Sequence, residues 1–193
     1  LAYLLFLLIY FREYELKSRT EQYNELINMQ LRSLRSEIEQ AKKILLLGNE
    51  GFWDVLKRLY QSQGIWESQK PILLKELKQC KYSVCYRSVL VKENEKKLLL
   101  EAVTENPYNL FYYAQFLVMD YPNEIYELCA NYIREQCAQA TDRRLYKKVC
   151  KDLLQLIKWK GNATAKLLVD EFKATYPRRS ALLDELQKVE KKL

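Results

Sequence analysis

Histidine is absent from all 193 residues. That removes the commonest general acid–base and the commonest zinc ligand together. Glycine and proline number four each. Sheet-rich chains need both at their many turns, so this scarcity points to helices joined by short links. So few glycines leave no G-x-G-x-x-G, no P-loop and no G-x-S-x-G. The five cysteines, Cys80, Cys85, Cys129, Cys137 and Cys150, form no C-x-x-C. An odd, unclustered set reads as buried free thiols in a reducing compartment, hence a cytoplasmic location. A cysteine-only metal site is the alternative. The N-terminus lacks the cationic start and small-residue cleavage site of a signal peptide.

What is present is ordinary for a globular chain: 49% apolar and 30% charged residues. A chain of this length buries about 70% of the surface its unfolded form exposes, so it needs no disulfide or metal to fold. The net charge of +7 is unevenly spread. Residues 140–193 carry fourteen basic and seven acidic groups, a surplus equal to the whole net charge. The tyrosine-rich stretch 107–139 carries one basic and four acidic groups. Leu1–Phe11 is nearly all apolar and reads as a core helix. The competing reading is the tail of a bilayer span, which needs about twenty such residues, flanked by Arg12 and Lys17.

Residues 19–47 read as one long helix. Tyr23, Ile27, Leu31, Leu34, Ile38, Ala41 and Leu45 recur in steps of three or four on one face, and Gly48 can supply a left-handed cap. The expectation is that this face packs within the chain, a coiled coil with another chain being the alternative. Shorter helices follow. One carries Phe52, Leu56, Leu59 and Tyr60 and ends at Gly64. Another runs from Glu67 to Gln79 with Pro71 in its first turn, where a missing N–H costs little. Tyr82, Val84 and Tyr86 alternate as in a strand, but the stretch fits a helical face equally well and is read as helix. Asn106-Pro107 ends a helix holding Leu98, Leu99, Ala102 and Val103. Beyond it, helices carry Leu110 to Val118, Ile125 to Cys137, Leu145 to Leu156, Leu167 to Phe172, and Leu182 to Leu193, with Asn123, Thr141 and Ser180 as candidate N-caps. The sum is about ten helices: an all-α fold of stacked antiparallel hairpins, TPR-like or α-solenoid. It divides into N-terminal helices over 1–48 and a helical-repeat domain over 49–193. Leu117, Tyr121, Pro122 and Leu128 are echoed 55 residues on by Phe172, Tyr176, Pro177 and Leu183.

No active site is apparent. Carboxylates adjacent in sequence, such as Asp170-Glu171 and Asp184-Glu185, point about 100° apart on a helix and make poor acid–base dyads. Arg143, Arg144, Lys147, Lys148 and Lys151 place several cations on one helix face, enough for salt-sensitive binding to phosphates. Solubilising charge opposite an apolar face is the competing reading. The tyrosines of the acidic stretch suit core packing better than base stacking. Arg178 and Arg179 precede a helix with acidic groups near its start, and a guanidinium fork there is expected to pair with Asp184 or Glu185.

The run Tyr176-Pro177-Arg178-Arg179-Ser180-Ala181-Leu182-Leu183-Asp184-Glu185-Leu186 resembles the C-terminal signature of bacterial SWIM zinc-finger proteins, where Tyr-x-Arg-Arg-x-Ala-Leu-x-Asp-Glu-Leu closes a helical region. Asp120 to Tyr126, and the stretch around Arg144, Tyr146 and Leu153, look similar to that region too. The resemblance spans residues 50–193 and is weaker over 1–49. The family's finger uses C-x-C and C-x-H, which this chain lacks, so no metal ligand carries over. The resemblance implies a helical domain attached to a DNA- or protein-binding finger, with a Swi/Snf-type helicase as a plausible partner. The expected function is a non-catalytic scaffold without cofactor, binding a protein partner in a DNA-associated complex. Direct nucleic-acid binding through the basic quarter and a membrane-anchored cytoplasmic domain are the alternatives.

Overall fold

A computed structural model describes the backbone of residues 2–80 and 83–193, and the side chains of all but residues 1–11, 14 and 81–83. Among the described residues there are ten helices and no strand. They are α1 (Ala2–Leu46), α2 (Phe52–Ser62), α3 (Trp66–Gln79), α4 (Ser83–Lys92), α5 (Lys96–Glu105), α6 (Leu110–Ala114), α7 (Pro122–Gln139), α8 (Arg143–Lys158), α9 (Asn162–Thr175) and α10 (Ser180–Glu190). The fold is all-α, as the shortage of turn residues implies. No helix of the described residues is long and apolar enough to cross a membrane. The side chains of the Leu1–Phe11 run, read above as a core helix, lie outside the described residues.

The chain forms two compact units, residues 1–86 and 87–193. The division falls inside α4, whereas the sequence places its boundary at 48/49, in the turn between α1 and α2. Those two helices pack on each other within the first unit.

In the first unit, α1 runs unbroken as one helix where a helix over Leu1–Phe11 and a separate long one over 19–47 were expected. Gly48 follows it at φ 98° and Gly64 follows α2 at φ 69°, the left-handed geometry that favours a residue without Cβ. The core unites Ile38, Ala41 and Leu45 of α1, Trp53, Leu56 and Tyr60 of α2, and Trp66, Leu73, Leu74 and Leu77 of α3. Trp53, not Phe52, is the fully buried aromatic of α2. Its ring meets Trp66 edge-on at 5.3 Å. Lys42 donates to Glu76 at 2.9 Å and ties α1 to α3. Pro71 lies in the second turn of α3, not its first. It is exposed, so the Glu67 carbonyl left without a donor can turn to water.

The expected packing of the long α1 stripe holds only in part. Ile38, Ala41 and Leu45 are buried and Leu34 half-buried, but Tyr23, Ile27 and Leu31 are 66%, 52% and 46% exposed. The helix outruns the elements that cover it.

In the second unit, α7, α8, α9 and α10 pack on their sequence neighbours, and also α7 on α9 and α8 on α10. Contact with the next helix and the next but one is the pattern of stacked hairpins. The core alternates between them: Ile125, Cys129, Ile133 and Cys137; Val149, Leu153 and Leu156; Leu168, Val169 and Phe172; Leu182, Leu186 and Val189. The caps differ from the expected ones by one or two residues. Asp142 caps α8, accepting from the Leu145 amide at 2.9 Å, in place of Thr141. Ser180 is the first residue of α10, and Pro122 opens α7 after Tyr121. The 55-residue echo has a backbone counterpart: Tyr121 sits at φ −131°, ψ 56° and Tyr176 at φ −121°, ψ 52°. The two part after the proline, since Pro122 starts a helix directly while three residues separate Tyr176 from Ser180.

Candidate interaction site in the second unit

The region that organises the second unit's surface begins with a residue that periodicity passes over. Arg87, on α4, is 1% exposed. Its guanidinium donates to three carbonyls: Tyr108 at 2.6 Å, Asn106 at 2.6 Å and Ala102 at 3.1 Å. It also lies 5.5 Å from the centre of the Tyr113 ring. Burial draws its pKa down, but guanidinium stays charged in proteins. A buried cation is tolerated when its donors are met, and here backbone carbonyls meet them. The segment between α5 and α6 is thereby pinned from beneath. Asn106 Oδ1 accepts from the Tyr108 amide at 3.0 Å, and Asn109 takes a left-handed φ of 56°.

This clamped turn is one wall of a cleft of about 400 Å³. Pro107, Tyr108, Asn109, Leu110, Phe111 and Tyr112 line it from α6 and the turn before it, Tyr132 from α7, and Lys148 and Asp152 from α8. Tyr108 and Tyr112 are 60% and 58% exposed. Phe111 is held between neighbours, edge-on to Tyr132 at 5.9 Å and stacked on Trp159 at 5.8 Å. Trp159 is fixed in turn by the Tyr126 hydroxyl, which donates to its carbonyl. Burial raises the Asp152 carboxyl to about 6, against the pull of Lys148 and Lys151. The cleft therefore offers aromatic surface and a partly desolvated carboxylate, with Lys148 one helical turn before it. Perturbed titration in a cleft is a mark of functional sites.

The five basic candidates of α8 do not form one patch. Arg143 turns toward α10, with Nε 3.0 Å from Glu185 and Nη2 3.3 Å from Asp184. Lys148 faces the cleft. Arg144, Lys147 and Lys151 are exposed and, with Lys158, share the outward side of α8, opposite the buried Tyr146, Val149, Leu153 and Leu156. Leu145, expected in the buried face, is only half-buried.

The expected pairing of Arg178 and Arg179 with Asp184 and Glu185 does not form. Arg143 takes both carboxylates, and Lys188 adds a 2.7 Å contact to Glu185. Hydrogen bonds from Lys188 and Arg143 hold the Glu185 carboxyl below the usual carboxylate range. Arg179 instead donates to the carbonyls of Cys137 and Ala140 at 3.0 and 3.2 Å and lies 4.1 Å above the Tyr176 ring. It closes the end of α7, whose last carbonyls lack helical donors. Arg178 and Pro177 are exposed. So the residues of the 176–186 run hold α10 and the end of α7 in place, Tyr176 as a platform and Arg179 as a C-terminal cap.

Among the described residues no group of three or more histidine, cysteine, aspartate or glutamate side chains is placed to hold a metal ion. Cys85, Cys129, Cys137 and Cys150 are buried and unbridged, and Cys80 is half-buried. Burial pushes the Cys129 and Cys150 thiols to about 12 and the Cys85 and Cys137 thiols to about 11. Thiols held that far from ionisation are poor nucleophiles.

No family model, no curated protein and no solved structure matches the chain.

Proposed function

We propose that the chain is a non-catalytic helical-repeat interaction module whose second unit receives a segment of a protein partner in the cleft of α6, α7 and α8. The observation that carries the reading is the exposure of Tyr108, on a turn anchored by buried Arg87, and of Tyr112, on the helix that follows it, beside Asp152. Exposed aromatics on a rigid support are the usual anchors of protein recognition. A desolvated carboxylate next to aromatic rings suits a lysine or arginine side chain, which gains both an ion pair and a cation–π contact. The resemblance of residues 176–186 to the SWIM zinc-finger proteins supports a partner in a DNA-associated complex, for which a Swi/Snf-type helicase is our candidate, and the unbridged cysteines support a cytoplasmic setting.

The test is a display library of short segments screened against the whole chain. Selected segments should carry a basic residue flanked by apolar ones. Tyr108→Ala with Tyr112→Ala should abolish their binding, and Asp152→Asn should weaken basic segments while sparing neutral ones. Segments that bind undiminished to both variants would sink the reading.

A second reading rests on a different observation, the outward row Arg144, Lys147, Lys151 and Lys158 on α8. Such a row can track phosphates. Duplex binding at low salt that vanishes when these four are reversed, with the cleft variants unaffected, would favour it.

A further inference from the structure

We propose that α1 is a self-association helix, pairing antiparallel with α1 of a second copy of this chain over roughly residues 12 to 37. Within the first unit, Ile38, Ala41 and Leu45 are buried, and the same face continues toward the N-terminus through Leu34, Leu31, Ile27, Tyr23, Thr20 and Leu16. At about 100° per residue these nine positions stay within about 40° of a single line. Their mean step is close to the natural period of a straight α-helix, so the stripe does not wander off the face. From Glu15 to Ser33 every residue except half-buried Ser18 is exposed, and Leu16, Tyr23 and Ile27 are 58%, 66% and 52% exposed. The apolar stripe is thus one surface, covered at one end by its own unit and uncovered at the other. Thr20 fits it: its hydroxyl donates to the Leu16 carbonyl at 2.9 Å, so the one aliphatic hydroxyl in the stripe already has a partner.

Charge selects the occupant and its direction. In an antiparallel pair about a two-fold axis, each flank of the stripe meets the same flank of the other copy. With the axis between Tyr23 and Asn24, Leu16 lies opposite the second copy's Leu31 and Thr20 opposite its Ile27. On one flank Arg12 then faces Glu37, while Glu13, in line with Leu31 at the edge of the stripe, comes within reach of the second copy's Arg35 on the other. Lys17 and Arg19 come near the uncharged Asn28 and Gln30. A parallel pair would instead set Arg12 against Lys17, and like charges at such positions are unfavourable. The stripe is therefore complementary to its own reversed copy in both shape and sign.

The whole chain should run in light scattering at twice its 23.2 kDa mass. Ile27→Glu, which alters only an exposed position, should raise the dissociation constant roughly 30-fold or more. Its circular dichroism should stay unchanged. Spin labels placed in a Cys80→Ser background settle the orientation. At Glu21 the two labels should be close, whereas at Ser33 the rise of 1.5 Å per residue separates them along the axis by roughly 30 Å. A chain that is monomeric at 100-fold over working concentration overturns the proposal, as does a dimer indifferent to Ile27→Glu. A short distance at both labelled sites means a parallel pair and overturns it equally.

Discussion

A guanidinium taken out of water has to find acceptors for its N–H groups, and Arg87 finds three in backbone carbonyls around the turn before α6. The bonds are to a charged donor, the stronger kind, and removing it takes the donor from the Asn106 and Tyr108 carbonyls at once, while the Ala102 carbonyl keeps the Asn106 amide. Arg87→Ala should cost about 3 kcal/mol or more in urea unfolding, on the scale of a broken buried ionic contact. Arg87→Lys should recover part of that, because one ammonium cannot span carbonyls spread across Ala102, Asn106 and Tyr108. Loss in the alanine variant below about 0.5 kcal/mol would mean that the turn is held by other contacts. Asp152 carries the opposite energetics. Its carboxyl titrates near 6 in the folded chain against 3.8 for an unperturbed group. A group whose folded pKa is raised favours folding most when protonated in both states, below about 4. That advantage drains as pH rises through 6 and is gone above it. Asp152→Asn should therefore raise the melting temperature at pH 7.5 and leave it unchanged near pH 4. Under the proposed reading the same change weakens the capture of basic segments, so the residue is retained for binding at a cost in stability.

At the scale of single helices, the most direct prediction contrasts two ends of one stripe. Ile38→Ala and Leu45→Ala remove buried methyl groups and should each destabilise by about 2–5 kcal/mol, depending on how far the site collapses. Ile27→Ala, four residues from Leu31 on the same face, should change stability by under about 0.5 kcal/mol when measured at concentrations where the chain is monomeric. Periodicity makes the stripe legible in the sequence but is silent on how far the covering helices reach, because α2 and α3 are short and nothing in α1 marks where they stop. The same limit explains other differences. Helix number, the glycine caps at Gly48 and Gly64 and most core positions follow from local rules of spacing and backbone geometry. At α8 threonine and aspartate compete at adjacent positions, and only the structure decides that Asp142 reaches Leu145; α7 and α10 start after Tyr121 and Arg179 with no side-chain cap at all. Arg87 was invisible: an arginine among apolar residues reads as a surface cation until its carbonyl acceptors, contributed by residues 15 to 21 positions away, come into view. The Arg178–Arg179 motif misled for the reverse reason. Asp184 and Glu185 are near it in sequence, but Arg143, some forty residues earlier, is nearer in space.

For the molecule as a whole, the unequal distribution of charge decides between two kinds of polyanion binding. A net charge of +7 alone attracts nucleic acid weakly and without a preferred face. A built surface requires that particular cations carry the effect. Arg144, Lys147 and Lys151 are exposed on one side of α8, and Lys43, Arg58 and Lys75 are exposed in the first unit. Reversing either trio to glutamate lowers the net charge by the same amount. If bulk charge governs, both variants lose duplex affinity equally at 50 mM salt. If the α8 row governs, only its reversal does so, and the slope of log affinity against log salt becomes shallower by about 0.9 for each phosphate contact removed. We expect the α8 reversal to flatten the slope and leave the binding of neutral segments at the aromatic cleft intact, because those three side chains do not line it. A matched loss in both variants would reduce the basic quarter to solubilising charge and leave the cleft as the second unit's recognition surface.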